Sequence, residues 1–490
     1  MAFGNPALAG KIGNPPLPPG QRATFGFRKG PAPLFINQRG RDVSLCDTGG
    51  KGGFECLFSK KTPRTKRRWY KGIEGCNREL CIKTKKDSRW TGIYPIIQGM
   101  KSLGSYDCCV IGGGPVGAVA ARSAACNGAR VLLVEKGGVP TYPDRCTGIV
   151  SLRCLKEADL DESVILREIR GGIIHAPSGR SLRIEAADTR AVAIDRRLFN
   201  LRLLEMAQQA GVEFVLESLV TGLDNGSISI ERSGATYQAE ARVVIGADGP
   251  RSQVAAWAKL PPPGELLLGL QAMARYEPEE PDFIELFFDQ ELAPGFFAWV
   301  VPAEQGIARI GLATSQMKGA STFLKKFLEK LRLKPLKINA GLIPIGVRSQ
   351  TVASKVMVVG DAAAQAKPTS GGGLYTGICC AKIAGAVAAE YALSHQDTKS
   401  LAAYEKRWRE KLDRELSLGM ALRRLFSNLH NREINFIFEV LDNKAILDVV
   451  ATYGDIDYPS LIIKALLQHP KEWWRVFRGL GAKLTPSEIH

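Results

Sequence analysis

The chain has 490 residues, 45% of them hydrophobic and 23% charged, which is enough for two or three packed domains and excludes an intrinsically disordered chain. Its formal charge of +17 is uneven, because residues 1–104 hold 20 Lys/Arg against 6 Asp/Glu, a net +14 that leaves +3 for the other 386 residues. A body this close to neutral argues against a general basic surface for nucleic acid, and leaves the first segment as the sole basis for such a partner.

Residues 1–104 are basic and rich in Gly and Pro (GNPPLPPG, KKTPRTKRR), with no sustained apolar period, and are expected not to pack. Three explanations compete: a transit or tail segment, a basic nucleic-acid-binding or lipid-binding arm, and an upstream stretch ahead of a true start at Met100. The last is preferred, since Met100 lies just before Tyr106, where an ordered strand is expected to begin, and the region lacks a secretory signal pattern. Cys46, Cys56, Cys76 and Cys81 have no C-x-x-C spacing, so zinc is not expected there. The pairs Cys108–Cys109 and Cys379–Cys380 lie in apolar runs, as buried thiols do in a reducing compartment, and a cytoplasmic protein is expected.

From Tyr106 the run YDCCVIGGGPVGAVAARSAACNGARVLLVEK reads as strand, Gly-rich turn, Ala-rich helix and second strand, a βαβ unit. Leu198 to Gly211 reads as an amphipathic helix followed by the strand VEFVLE, and ARVVIGADG as a further buried strand ending in a turn. FIELFFD, GFFAWVVP and GIARIGLA are short, aromatic or β-branched and separated by turn residues, which predicts antiparallel strands. KVMVVGDAAA restores the parallel-strand pattern, and a helix is expected from about Gly373. The apolar stretch from Leu374 to Leu393 is interrupted by Lys382 and Glu390 and rich in Ala and Gly, so it reads as a packed helix. From about residue 396 the chain reads as helical and amphipathic. The expected fold is therefore α/β: a Rossmann-like dinucleotide-binding domain in three pieces (105–165, 192–261 and 345–395), an antiparallel β-sheet substrate domain (166–191 and 262–344), and a C-terminal helical region (396–490).

The chemistry starts at Gly112-x-Gly114-x-x-Gly117, where the first glycine permits the tight turn, the second lets backbone approach a pyrophosphate, and the third allows close helix–strand packing. The following helix turns its positive dipole end to the anion. Glu135 ends the second strand, where a carboxylate can accept from an adenosine ribose and disfavours a 2′-phosphate. GADGPRS (Gly246–Ser252) and VGDAAAQAKPTSGGGL (Val359–Leu374) follow in order. Asp361 ends a strand, where it can accept from ribityl hydroxyls, and Gly371, Gly372 and Gly373 open a helix. These two segments resemble the later fingerprints of glutathione-reductase-type flavoproteins, which implies FAD.

Four further motifs narrow the resemblance: RCTGIV (Arg145–Val150), AIDRRLFN (Ala191–Asn200), PGFFAWVVP (Pro294–Pro302) and the GIARIGLA that follows it. They resemble the R-C-G-E-G, Arg-x-x-Phe-Asp and P-x-x-Y-x-W-x-F-P segments of the geranylgeranyl reductase family, from about Tyr106 nearly to the C-terminus. The resemblance implies that Val116, Glu135, Cys146, Thr147, Arg196, Val220, Asp361, Gly373 and Leu374 contact FAD, and that Phe297 and Trp299 line a substrate cavity. It implies reduction of carbon–carbon double bonds in an isoprenoid lipid, by hydride from the reduced flavin N5, with NAD(P)H or a reduced carrier as electron donor. Thr147, Gly148 and Ile149 depart from the family's Gly-Glu-Gly, Asn200 from its Asp, and Phe297 and Val301 from its Tyr and Phe, which leaves a more apolar lining. For Cys146 three roles stay open: proton donor, gate for flavin movement, or packing against the ring.

The five histidines are scattered, so no metal site is expected. Trp473, Trp474, Arg475, Phe477 and Arg478 suit either a peripheral contact with the inner face of a membrane or a terminal helix packed on the body. A monooxygenase or halogenase of the same fold is the first rival, although halogenases carry W-x-W-x-I-P and position 297 is Phe. A flavin dehydrogenase feeding quinone is the second, but no cysteine follows Cys380 to build an iron–sulfur cluster.

Overall fold

The computed structural model describes residues 102–138, 146–394, 401–466 and 468, all within one unit spanning 82–490. The basic segment as far as Lys101, Arg145, and the aromatic and basic group at 473–478 lie outside the described residues. The elements run β1 (Ser102–Ile111), α1 (Pro115–Cys126), β2 (Val131–Val134), β3 (Ile149–Val150), α2 (Leu152–Glu157), β4 (Ile165–Ile169), β5 (Gly171–His175), β6 (Ser181–Glu185), β7 (Ala191–Ile194) and α3 (Arg196–Gln209). Next come β8 (Glu213–Val215), β9 (Leu219–Asp224), β10 (Ser227–Arg232), β11 (Ala235–Gly246), α4 (Gln253–Trp257), β12 (Glu265–Arg275), β13 (Phe283–Phe287), β14 (Ala298–Pro302), β15 (Ile307–Thr314), α5 (Ala320–Lys330) and β16 (Pro335–Ile345). The last are β17 (Val352–Ala353), β18 (Val356–Val358), α6 (Leu374–Ser394), α7 (Ala402–Ser427), α8 (Asn431–Leu441), α9 (Lys444–Tyr453) and α10 (Ser460–Leu466).

The first sheet runs β17-β18-β11-β1-β2-β8, with β10 and β9 added beside β11. Its central strands are parallel, and the carboxyl-terminal halves of β1 and β11, like β2 and β18, are apolar and buried because both faces are covered there. Alternate residues of β1 feed two cores: Cys108 and Val110 join α1, α3 and α6, while Cys109 and Ile111 join Ile228, Ile230 and Val254. Burial pushes the Cys109 thiol up to about 12, which makes it a packing group rather than a nucleophile. α6 is long and apolar enough to cross a membrane, yet most of it is buried against the sheet and α1. Gly385 explains the fit, since a Cβ there would stand 2.4 Å from the Ala120 carbonyl oxygen of α1.

The second sheet runs β16-β12-β15-β14-β13-β5-β6. It is antiparallel except where β5 joins β13 in parallel, so it is mixed rather than wholly antiparallel as the short strands suggested. Hairpin turns force antiparallel pairing, but β5 reaches β13 from more than a hundred residues upstream and is free of that constraint. α5 covers one face of this sheet, and β3-β7-β4 form a small third sheet.

Boundaries moved for local reasons. β1 begins at Ser102, ahead of Tyr106, by pairing with Gln238 across a bulge. α3 begins at Arg196 because the Asp195 carboxylate accepts from the Arg197 and Leu198 N–H groups. β14 begins only at Ala298, which leaves Phe296 and Phe297 in the preceding turn.

Candidate functional site

In-register parallel pairing lines up Ile111 with Gly246 and with Val134, and Gly246 with Val358, so the loops carrying all three sequence fingerprints leave the same carboxyl edge of the sheet. That edge is where open α/β sheets bind ligands. The loops also touch. A Cβ on Gly112 (φ +110°) would stand 2.3 Å from the Ala247 carbonyl oxygen, one on Gly117 1.9 Å from the Gly112 oxygen, and one on Gly360 3.0 Å from the Val116 side chain. The first two contacts are with backbone oxygens and admit no side chain, while Gly360 is held against Val116 at a positive φ of 61°. Gly114 has open space where its Cβ would be.

Gly114 precedes α1 as an N-cap without a side chain, and the first turn carries no acidic residue, so the helix's N-terminal N–H groups and dipole remain available to an anion. Glu135 is buried between two backbone donors: Gly113 N–H donates to Oε2 (2.6 Å) and Gly137 N–H to Oε1 (2.7 Å). The carboxylate therefore shapes the glycine turn, and its remaining lone pairs are what a ribose would meet. Val220 is buried in the same core as Val134 and Val215.

On the other flank, Asp361 lies in a 3-10 turn after β18, with Oδ1 3.2 Å from where a Cβ on Gly373 would be. Burial pushes its carboxyl up to about 6, opposed by the Arg196 charge. Arg196 donates from Nη1 to Asn200 Oδ1 (2.6 Å), and its buried Nε has no protein partner among the described residues. Leu374 begins α6 beside them. An uncapped helix end, an unfilled glycine and an orphaned donor fit the pyrophosphate and polar groups of FAD.

The Cys146 segment lies against the second sheet and the end of β7, and is held by residues that its own sequence does not reveal. Gly148 N–H donates to Cys146 Sγ (3.4 Å), Gln271 Nε2 to the Cys146 carbonyl (3.3 Å), and Arg309 to the Thr147 and Ile194 carbonyls (2.6 and 3.2 Å). Gln271 and Arg309 are buried on β12 and β15. The signal was present in GIARIGLA, a single cation inside an otherwise apolar strand. Gly148 (φ +69°) has no room for a side chain, because a Cβ would meet Arg309 Nη1 at 2.4 Å.

Beyond this segment lies an apolar cluster of Phe296, Trp299, Val301, Ile345 and Ala366, packed against Ile149 and Phe297. Phe296 and Phe297 stack with centroids 4.3 Å apart, and Phe297 meets Trp299 edge-on at 6.1 Å. The Trp299 ring lies across Gly311, where a Cβ would stand 2.6 Å from Cζ2, and its buried Nε1 has no partner among the described residues. A Cβ on Gly371 would be 3.6 Å from Phe296 Cζ, so the aromatic wall borders the glycine loop. Among the described residues no cluster of His, Cys, Asp or Glu could hold a metal.

An FAD binding domain family matches residues 105–322. Digeranylgeranylglycerophospholipid reductase 2 of Methanopyrus kandleri is 32% identical over 371 residues, covering 70% of this chain and 92% of the relative. A geranylgeranyl bacteriochlorophyll reductase-like protein from Thermoplasma acidophilum superposes with a TM-score of 0.67 at 25% identity, covering 77% of this chain and 99% of that one. The p-nitrophenol 4-monooxygenase of Pseudomonas putida shares the fold at 16% identity, with a TM-score of 0.58 and coverage of 75% and 98%.

Proposed function

Because this chain belongs to the geranylgeranyl reductase family of FAD-dependent oxidoreductases, we propose that it saturates carbon–carbon double bonds in a geranylgeranyl or other isoprenoid lipid. One observation carries the reading: the apolar cluster of Phe296, Phe297 and Trp299 meets the glycine loop where Phe296 borders Gly371, so an apolar surface adjoins the loop that would hold the flavin. Bound reduced FAD would supply the hydride, from N5 to one alkene carbon, while a proton reaches the other. An isolated alkene offers no polar handle, so the protein's work is to align the chain and keep water out.

In this reading Gly112, Gly114, Val116 and Gly117 carry the pyrophosphate, Glu135 and Val220 the adenosine, and Asp361, Gly373, Leu374 and Arg196 the ribityl and ring end. Cys146 and Thr147 border the ring. Gln271 and Arg309 orient that segment through its carbonyls. Phe297 and Trp299 hold the hydrocarbon, and the Cys146 sulfur, which accepts from Gly148 N–H, packs beside the ring or gates its movement. NAD(P)H or a small reduced carrier supplies the electrons. The lipid implies a peripheral position at a membrane surface, with no nucleic acid as partner.

The test is anaerobic: FAD-loaded protein reduced with dithionite is incubated with digeranylgeranylglycerophospholipid, and the product masses are read. The expected products gain hydrogen in pairs. Turnover that appears only with oxygen, giving a hydroxylated or halogenated product, would replace this reading with the monooxygenase or halogenase one.

A further inference from the structure

The segment 455–459, between α9 and α10, is fastened to both loops that border the ring end of the proposed flavin site. The Asp457 side chain, 1% exposed, accepts from Ser151 Oγ (2.5 Å) and from Lys367 Nζ (2.7 Å). Ser151 caps α2, immediately after the Cys146 segment. Lys367 is the residue whose N–H and carbonyl close the glycine loop, pairing with the Gly372 carbonyl (3.0 Å) and the Gly371 N–H (2.8 Å). Its ammonium also lies 3.5 Å from where a Cβ on Gly372 would be. Arg153 is bidentate on Asp455 and 3.6 Å from Asp457, so two cations and two carboxylates balance at this spot.

Resting on the flavin reading above, we infer that Asp457 is a positioning residue for the cofactor: it locks the Cys146 segment and the glycine loop together and neutralises Lys367 beside the ring. Such a residue has an electrostatic signature that a packing role lacks. Removing the carboxylate leaves an uncompensated cation near the flavin, which favours the more negative reduced form. Removing the ammonium does the opposite.

The experiment measures the midpoint potential and dissociation constant of FAD in the wild type, Asp457→Asn, Lys367→Met, the double variant and Ser151→Ala. Asp457→Asn is expected to bind reduced FAD about tenfold more favourably relative to oxidised FAD, a rise of about 30 mV for a two-electron couple. Lys367→Met should move the potential down, and the double variant should return it close to wild type. Ser151→Ala keeps both charges, so it should leave the potential unchanged while raising the rate of Cys146 alkylation, and it stays informative if either charge variant fails to fold. Equal potentials in the wild type and both charge variants would overturn the inference while leaving the flavin reading intact, and so would Ser151→Ala alkylated at the wild-type rate. A wild-type protein that binds no FAD would instead remove the reading beneath it.

Discussion

The two halves of the site are built from different materials. At the carboxyl edge of the first sheet the shape is made by backbone: a Cβ on Gly112 or Gly117 would run into a carbonyl oxygen, and Glu135 holds the adjoining turn through the Gly113 and Gly137 N–H groups. Over the second sheet the shape is made by side chains, with Phe297 and Trp299 laid across a strand that Gly311 keeps bare. A backbone cradle suits a ligand whose anionic groups never vary, while a side-chain wall can be altered to suit a different hydrocarbon without disturbing the cradle. Substitutions in the first half should therefore abolish cofactor binding, and those in the second should leave it intact.

The sharpest break is expected from Gly117→Ala, which sets a methyl group 1.9 Å from the Gly112 carbonyl. A loss of about 3 kcal/mol in stability and of yellow colour in the purified protein is predicted, read by thermal unfolding and flavin absorbance. Next comes Asp361→Asn, predicted to weaken FAD binding by about 1.5–3 kcal/mol through loss of charge-assisted hydrogen bonds, measured by fluorescence titration. The same residue gives a pH dependence. Its folded pKa of about 6 lies above the ordinary value, so in the flavin-free protein its contribution to stability is present in acid and is lost as pH rises through about 6. Hydroxyl donors on FAD favour the ionised form, so FAD affinity should fall by up to about tenfold per pH unit below about 6. A flat affinity from pH 5 to 7 would show that Asp361 does not meet the cofactor.

Gly311→Ala sharpens the contrast from the other side. The new methyl meets both the Leu270 carbonyl oxygen of β12 (2.5 Å) and the Trp299 ring (2.6 Å), so it should cost about 3 kcal/mol of stability, with FAD affinity unchanged and lipid reduction strongly slowed. The smallest effect is expected from Trp299→Phe. It removes a buried N–H that has no partner among the described residues, which offsets the lost packing and keeps the stability change within about 1 kcal/mol. A loss of flavin in either variant would erase the distinction between the two halves.

The glycine turn, the strand end at Glu135 and the Trp299 motif were legible in the chain, because φ requirements, alternation and helix starts are encoded within a few neighbouring residues, whereas Asp361, read as a strand end, lies in the 3-10 turn after β18. The sequence alone thus determined the cofactor fold and the family. It did not disclose that β5 would join β13 in parallel, that Arg309 would hold the Thr147 carbonyl from 162 residues away, or that Asp457 would bind Ser151 from 306. Strand partners and buried polar contacts across such separations are chosen by which arrangement of whole sheets and helices covers the apolar faces and satisfies the buried donors. That choice exists only once the chain has packed.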